Sequence, residues 1–130
     1  MINYIYNDAA MGVSNVDNVI IVEGKNDRSK LRKLLHTDID ILCTYGTPGE
    51  DQLALLRKQA ANKHVYIFTD NDASGKRIRG MLRDLFPDAV HLYTRRGYPG
   101  VEKTPLDYLV IQLEKAELNE YINYEALLLD

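Results

Sequence analysis

Two stretches of this chain, Val19-Ile20-Ile21-Val22 and Val65-Tyr66-Ile67-Phe68, are continuously apolar, strand-length and followed at once by acidic loops. A strand that is apolar on both alternating faces has to be covered on both, which is the situation of an inner strand in a parallel sheet. Two further runs, Ile39-Asp40-Ile41-Leu42-Cys43 and Ala89-Val90-His91-Leu92-Tyr93, bring the set to four. Helical patterns lie between them. Over residues 27–35 Leu31, Leu34 and Leu35 share a face, and over 50–61 Leu53, Leu56 and Ala60 do. Over 74–86 the set is Ile78, Met81, Leu82 and Leu85, stopped by Pro87. A fourth helix is expected over 105–117, with Leu106, Leu109, Val110 and Leu113 inward. Strand–helix alternation of this kind predicts right-handed βαβ units in an α/β fold, a four-stranded parallel sheet with helices on both faces. The first 16 residues are open between an edge element and a cover for the sheet.

A length of 130 residues suits a single domain, and 45% apolar residues suffice for a real core. No apolar run approaches the ~20 residues of a membrane helix, and residues 1–10 lack a basic-then-apolar signal pattern. A soluble, cytoplasmic protein without membrane contact is expected. Cys43 is the one cysteine, which excludes an internal disulfide and a cysteine metal site and reads as a buried, inert thiol. Net charge is −3, but it is unevenly spread. Residues 1–56 carry 8 acids and 5 bases, residues 57–103 carry 5 and 10, and residues 104–130 carry 6 and 1. A basic middle between acidic ends places a positive field over one face, or else records solvated helix faces.

In an open parallel sheet, chemistry gathers beyond the carboxyl ends of the strands. After the first strand comes Glu23-Gly24-Lys25-Asn26-Asp27, and after the third Thr69-Asp70-Asn71-Asp72-Ala73-Ser74-Gly75-Lys76. Parallel strands bring both loops to one edge, where Glu23, Asp70 and Asp72 converge. Crowded carboxylates repel unless a cation neutralises them or a proton is shared. Hard oxygen ligands suit magnesium or manganese. Taken separately, Asp72 or Asn71 reads equally well as a helix cap, and Gly24 as a turn glycine.

Three motifs overlap the aspartate loop. A calcium EF-hand fails, because its twelfth position would be Met81 and an apolar strand precedes the loop in place of a helix. A haloacid-dehalogenase-like phosphatase, with Asp70 as nucleophile and Asp72 as acid/base, expects the motif on an early strand and leaves Glu23 without a task. The third explains both loops. Val22-Glu23-Gly24-Lys25-Asn26-Asp27, the Gly46 turn, and Phe68-Thr69-Asp70-Asn71-Asp72 with Gly75 and Arg77 together resemble the Toprim domain of topoisomerases, primases, recombination proteins and certain nucleases. The resemblance covers about residues 18–110, leaving a helical extension over about 105–130. Residues 70–79 and Gly100-Val101-Glu102 look closest to small stand-alone Toprim proteins and to the ribonuclease group that matures 5S ribosomal RNA.

That resemblance implies a Rossmann-like Toprim core and magnesium-dependent (or manganese-dependent) phosphodiester chemistry on RNA or DNA. In it Asp70 and Asp72 bind metal, while Glu23 transfers a proton or ligates a second ion. Lys25 reaches a phosphate beside Glu23. Lys76, Arg79 and Arg83 form a helical stripe that, with Arg77, Arg95 and Arg96, tracks a nucleic-acid backbone; a solvated helix face is the plainer alternative. Gly24, Gly46 and Gly75 serve as supporting turns. Asp27, Glu102 and Lys103 are further candidates, the last two returning to the site after Gly97-Tyr98-Pro99-Gly100. His36, His64 and His91 show no metal spacing and read as structural. The leading expectation is a small nuclease, with a protein partner that delivers substrate. The alternative is a non-catalytic Toprim module that binds metal and nucleic acid, and the phosphatase stands a distant third.

Overall fold

The computed structural model describes residues 17–129; the edge element or cover expected of the first 16 residues lies outside them. Four strands form one parallel sheet: β1 (Asn18–Val22), β2 (Asp40–Cys43), β3 (His64–Ile67) and β4 (Val90–His91), in the order β2-β1-β3-β4. β1 lies inside the sheet, between β2 and β3. Val19 to Val22 have no exposure, and the strand pairs Ile20 with Ile41 on one side and with Tyr66 on the other.

The strand's two-residue period divides the interior. Ile20 and Val22 face a core built with Leu31, Leu34 and Leu35 from α1 (Lys25–Arg32) and its exit, and with Leu106, Leu109, Val110 and Leu113 of α4 (Leu106–Lys115). Val19 and Ile21 face Leu56 and Ala60 of α2 (Glu50–Gln59) and its exit, and Ile78 and Leu82 of α3 (Ala73–Leu85). Side chains of this size contribute about 1.5–3 kcal/mol each when fully buried. That double cover is why the first and third runs carry no polar alternation.

The expected fourth strand, residues 89–93, is shorter than its composition suggested. Only Val90 and His91 pair with β3, and Val90 and Tyr93 are exposed. β4 is one of the two edge strands, and among the described residues its β-branched and aromatic side chains have no second strand beside them. The expected fourth helix ends at Lys115, and two 3-10 turns, Asn119–Tyr121 and Tyr124–Leu128, take up the remainder. They fasten the exit of α1: the His36 amide donates to the Tyr121 carbonyl (2.8 Å), and the Asn123 amide to the Leu34 carbonyl (2.6 Å). Among the described residues no helix is long and apolar enough to cross a membrane. Cys43 is buried, and burial pushes its thiol pKa up, as an inert core thiol requires.

The strand order sets the position of the site. From β1 the chain goes outward through α1 to β2, then returns through α2 on the opposite face to β3. The crevice beyond the adjacent ends of β1 and β3 is a topological switch point, where open α/β sheets bind ligands.

Candidate active site

Glu23 leaves β1 and Asp70 leaves β3 at that switch point. Across 47 positions they meet: the Asp70 amide donates to Glu23 Oε2 at 2.5 Å. The carbonyl of Glu23 is held from the other side by the turn after β2, accepting from the Tyr45 amide (2.8 Å) and the Gly46 amide (3.3 Å). Tyr45 and Gly46 both have positive φ, and Gly46 at 88° adopts the conformation without side-chain strain. Thus Gly46 supports the site through the Glu23 backbone.

Gly75 is needed for space. A Cβ there would lie 2.6 Å from the Asp70 carbonyl carbon and 2.9 Å from Glu23 Oε2, so α3 could not begin this close to the acids with any larger residue. Its amide donates to Asp72 Oδ1 (2.7 Å), which makes Asp72 the N-cap of α3. Asp27 has a similar role in α1. It accepts from the Gly24 amide (3.1 Å) at the start of that helix and from the Glu102 amide (3.2 Å).

Gly100 closes the edge from above. A Cβ there would stand 2.6 Å from the Asp70 carboxyl carbon. The loop over residues 95–104 therefore belongs to the site, pinned by the Asn71 amide to the Pro99 carbonyl (2.7 Å) and by the Thr104 hydroxyl to the Gly100 carbonyl (2.6 Å). Glu102 and Lys103 themselves are exposed, so it is the Glu102 main chain that returns.

This packing perturbs the acids. Burial, then the charges of Glu23, Asp27 and Asp72, push the Asp70 carboxyl up to about 7, with the Val101 amide opposing. Burial also raises Glu23 despite its hydrogen bond from Asp70, and Asp72 and Asp27 add to the rise. Asp27 is raised by burial against its two amide donors. Among the described residues, Asp70 Oδ1 and Thr69 Oγ1 are buried and have no hydrogen-bond partner. Orphaned oxygens of this kind are rare in native interiors and mark a place for an ion or water.

The residues therefore suit a hard divalent cation: oxygen donors only, in excess of negative charge, with one buried acceptor unsatisfied. Their arrangement is not a finished cage. Among the described residues no three acidic, histidine or cysteine side chains stand together as a ligand set, and Asp72 is turned to its own helix.

Among the cationic candidates, Lys25 opens α1, Lys76 and Arg77 lie near the start of α3, and Arg95, Arg96 and Lys103 lie in the closing loop, all exposed at the carboxyl edge. Arg79 is different, and the expected stripe of Lys76, Arg79 and Arg83 does not exist as an exposed face. Arg79 is 7% exposed. It donates to the carbonyls of Leu92 (2.7 Å), Thr69 (3.2 Å) and Ile67 (3.4 Å), pairs with His91 Nδ1 (2.9 Å), and lies over the Tyr93 ring. Burial lowers its pKa, and burial and the neighbouring guanidinium lower that of His91. Arg79 thus ties together the ends of β3 and β4 beneath the loop that carries Asp70. The signal lay in the helical spacing, since residues 75, 78, 79 and 82 are the buried stripe of α3. Gly100 and the anchoring role of Asn71 carried no such signal, because both depend on a loop more than 20 positions from its partner residues.

The Toprim domain model matches residues 18–98, spanning both acidic loops. The chain belongs to the Toprim family. A Toprim domain is thus the frame for Glu23 and Asp70, and the phosphatase interpretation of Asp70 and Asp72 has no footing. The chain is 36% identical over 109 residues to uncharacterized protein YusF of Bacillus subtilis, covering 84% of this chain and 75% of that one. It is 29% identical over 110 residues to ribonuclease M5 of Fusobacterium nucleatum (80% and 60%) and 36% identical over 85 residues to that of Lactiplantibacillus plantarum (65% and 44%). The chain therefore spans about half the length of these ribonuclease relatives. A small Toprim domain protein of Bacillus stearothermophilus superposes with a TM-score of 0.76 at 34% identity, covering 88% of this chain and 95% of that one.

Proposed function

We propose that this Toprim protein is a magnesium-dependent nuclease that cuts phosphodiester bonds, with RNA favoured over DNA by its likeness to ribonuclease M5. The observation that carries this reading is the contact of Glu23 with Asp70 at the β1/β3 switch point, where burial and neighbouring carboxylates raise both carboxyls. Asp70 and Asp72 would hold the ion with Glu23 at its margin, Asp72 by turning its carboxylate away from the Gly75 amide. A bound magnesium or manganese ion supplies charge neutralisation at the phosphate oxygens.

The chain's own residues supply the remainder. Glu23, whose carboxyl is raised by burial from its ordinary value, serves as general acid or base at its carboxyl oxygen. Lys25 and Arg77 offer charge to the phosphates flanking the cut, and Arg96 and Lys103 extend that surface along the edge. Phosphoryl transfer demands mainly positioning and electrostatic balance, which such an edge provides.

The second reading is a metal- and nucleic-acid-binding module without catalysis, favoured by the engagement of Asp72 with its own helix. One assay separates the two. Protein is incubated with structured RNA, single-stranded DNA and a small phosphate ester, with magnesium, manganese or EDTA, beside Glu23→Gln and Asp70→Asn variants. Metal-dependent polymer cleavage lost in both variants is expected. Binding without cleavage, tolerant of both substitutions, supports the module instead.

A further inference from the structure

The loop that closes over Asp70 carries an arrangement the carboxylate chemistry does not use. The guanidinium carbon of Arg95 lies 4.1 Å from the centroid of the Tyr108 ring. Tyr98 stands beside it, its ring 5.5 Å from that of Tyr108 and inclined by 57°. Both tyrosines are partly buried, while Arg95 is exposed.

Short hydrogen bonds fix this group relative to the acids. The Tyr98 amide donates to the Arg95 carbonyl (3.0 Å), closing the turn. The Thr94 hydroxyl donates to the Tyr98 carbonyl (2.5 Å) and accepts from the Asn71 side chain (2.8 Å). Asn71 lies between Asp70 and Asp72, and its own amide holds Pro99. Tyr108 belongs to the first turn of α4 and cannot drift away from the loop.

A solvent-exposed arginine ordinarily samples many rotamers. Here one face of its planar, weakly hydrated cation rests on a ring, and its exposure leaves the other face to solvent. A flat cation backed by an aromatic ring is a surface on which nucleobases stack. A contact to phosphate alone would require only the charge, and would leave the paired tyrosines without a purpose.

We propose that Arg95, backed by Tyr108 and Tyr98, is a stacking platform for one unpaired base of the nucleic acid, next to the phosphate at the Glu23–Asp70 edge. The proposal rests on the nucleic-acid reading above and sharpens it. A base inside a duplex has both faces occupied by neighbours, so the nucleotide at this position has to be single-stranded or turned out.

The test reads binding without cleavage, in the Asp70→Asn background. Single-stranded oligonucleotides carry 2-aminopurine, or an abasic residue, at each position in turn. Quenching at one position is expected, with about tenfold weaker binding when that base is removed. Arg95→Ala, Arg95→Lys and Tyr108→Leu should each abolish the quenching and the preference for a base. Arg95→Lys should keep the salt dependence, because it keeps the charge and loses the plane. Arg95 is exposed, so its variants should retain the far-ultraviolet circular dichroism of the parent. Quenching that survives Arg95→Lys, or equal affinity for abasic and base-bearing strands at every position, overturns the platform and leaves the nuclease standing. Binding to no oligonucleotide of any kind overturns both.

Discussion

The two ends of the sheet divide shape from chemistry. At the amino end, a groove of about 490 Å³ opens between the α2–β3 and α3–β4 connections, lined by Arg57, Ala60, His64, Val65 and Phe86 among others. Lys63 at its rim is paired with Asp40 at 3.2 Å. At the carboxyl end, Glu23, Asp27 and Asp70 are all raised, and two buried oxygens have no partner among the described residues. A small-molecule enzyme usually combines a concave pocket with its perturbed groups. Here this groove and the raised acids of the described residues lie at opposite ends, and under the nuclease proposed above that suits a polymeric substrate laid across an open edge.

Moving the function from one end to the other would break this comparison, so the largest effect is expected there. Asp70→Asn should lower metal-dependent cleavage by about 10²–10³-fold, the worth of several kcal/mol of charge stabilisation. The same variant should be more stable than wild type in EDTA, by about 1–2 kcal/mol once solvent screening is allowed for, because it removes a carboxylate the fold disfavours in its charged form. His64→Gln in the amino-end groove should leave cleavage within about twofold, surface substitutions away from a site being close to neutral. A crippled His64→Gln enzyme beside an active Asp70→Asn enzyme would reverse the assignment of the two ends.

The next effect concerns what holds the acidic edge in place. Arg79→Met keeps the length of the buried side chain but leaves the carbonyls of Thr69 and Leu92 without their donor, while that of Ile67 keeps the Leu92 amide. Urea unfolding should show a loss of about 3 kcal/mol or more, since each stranded buried group costs about 1–3 kcal/mol. Arg83→Met, on the exposed side of the same helix, should change stability by less than about 0.5 kcal/mol. Equal, small losses for the two would restore the exposed stripe.

Arg79 also shows where sequence reading succeeds and where it stops. The apolar runs at 19–22 and 65–68, the helices between them and the parallel order are legible because periodicity reports burial directly. Glu23 and Asp70 are legible as neighbours because parallel strands share an edge. Arg79 misleads because its charge suggests exposure, although its spacing from Gly75, Ile78 and Leu82 places it inside. The close approach of Gly100 to Asp70 is not legible: a loop glycine reads the same whether it faces solvent or a carboxylate. Asp72 is legible as a cap or as a ligand, and the structure shows it capping.

Gly100→Ala tests that unread contact. A methyl group there would press on the Asp70 carboxylate, so the loop over residues 95–104 has to lift or the acid has to turn. A loss of about 1–3 kcal/mol in stability is expected, with weaker magnesium binding by calorimetry. Gly49→Ala, at a glycine with open space around its Cβ position, should do neither. Unchanged magnesium affinity in Gly100→Ala would detach the closing loop from the acidic edge.

The smallest effect is the dependence of metal-free stability on pH, and its sign follows from the acids. An unfolded Asp70 releases its proton near its ordinary value of 3.8, whereas the folded side chain holds it to about 7. The folded state therefore binds more protons between those values, and stability falls as pH rises through that window before levelling above it. Glu23 and Asp27 are raised as well and act in the same direction. In EDTA the melting temperature should be several degrees lower at pH 8 than at pH 5.5, the shift expected of about 1–2 kcal/mol in a domain of this size. Magnesium should restore much of that loss at pH 8 and add little at pH 5.5, where protons already occupy the carboxylates it would bind. A magnesium shift of equal size at both pH values would mean that the ion binds elsewhere, and that the raised acids of the carboxyl end serve only the fold.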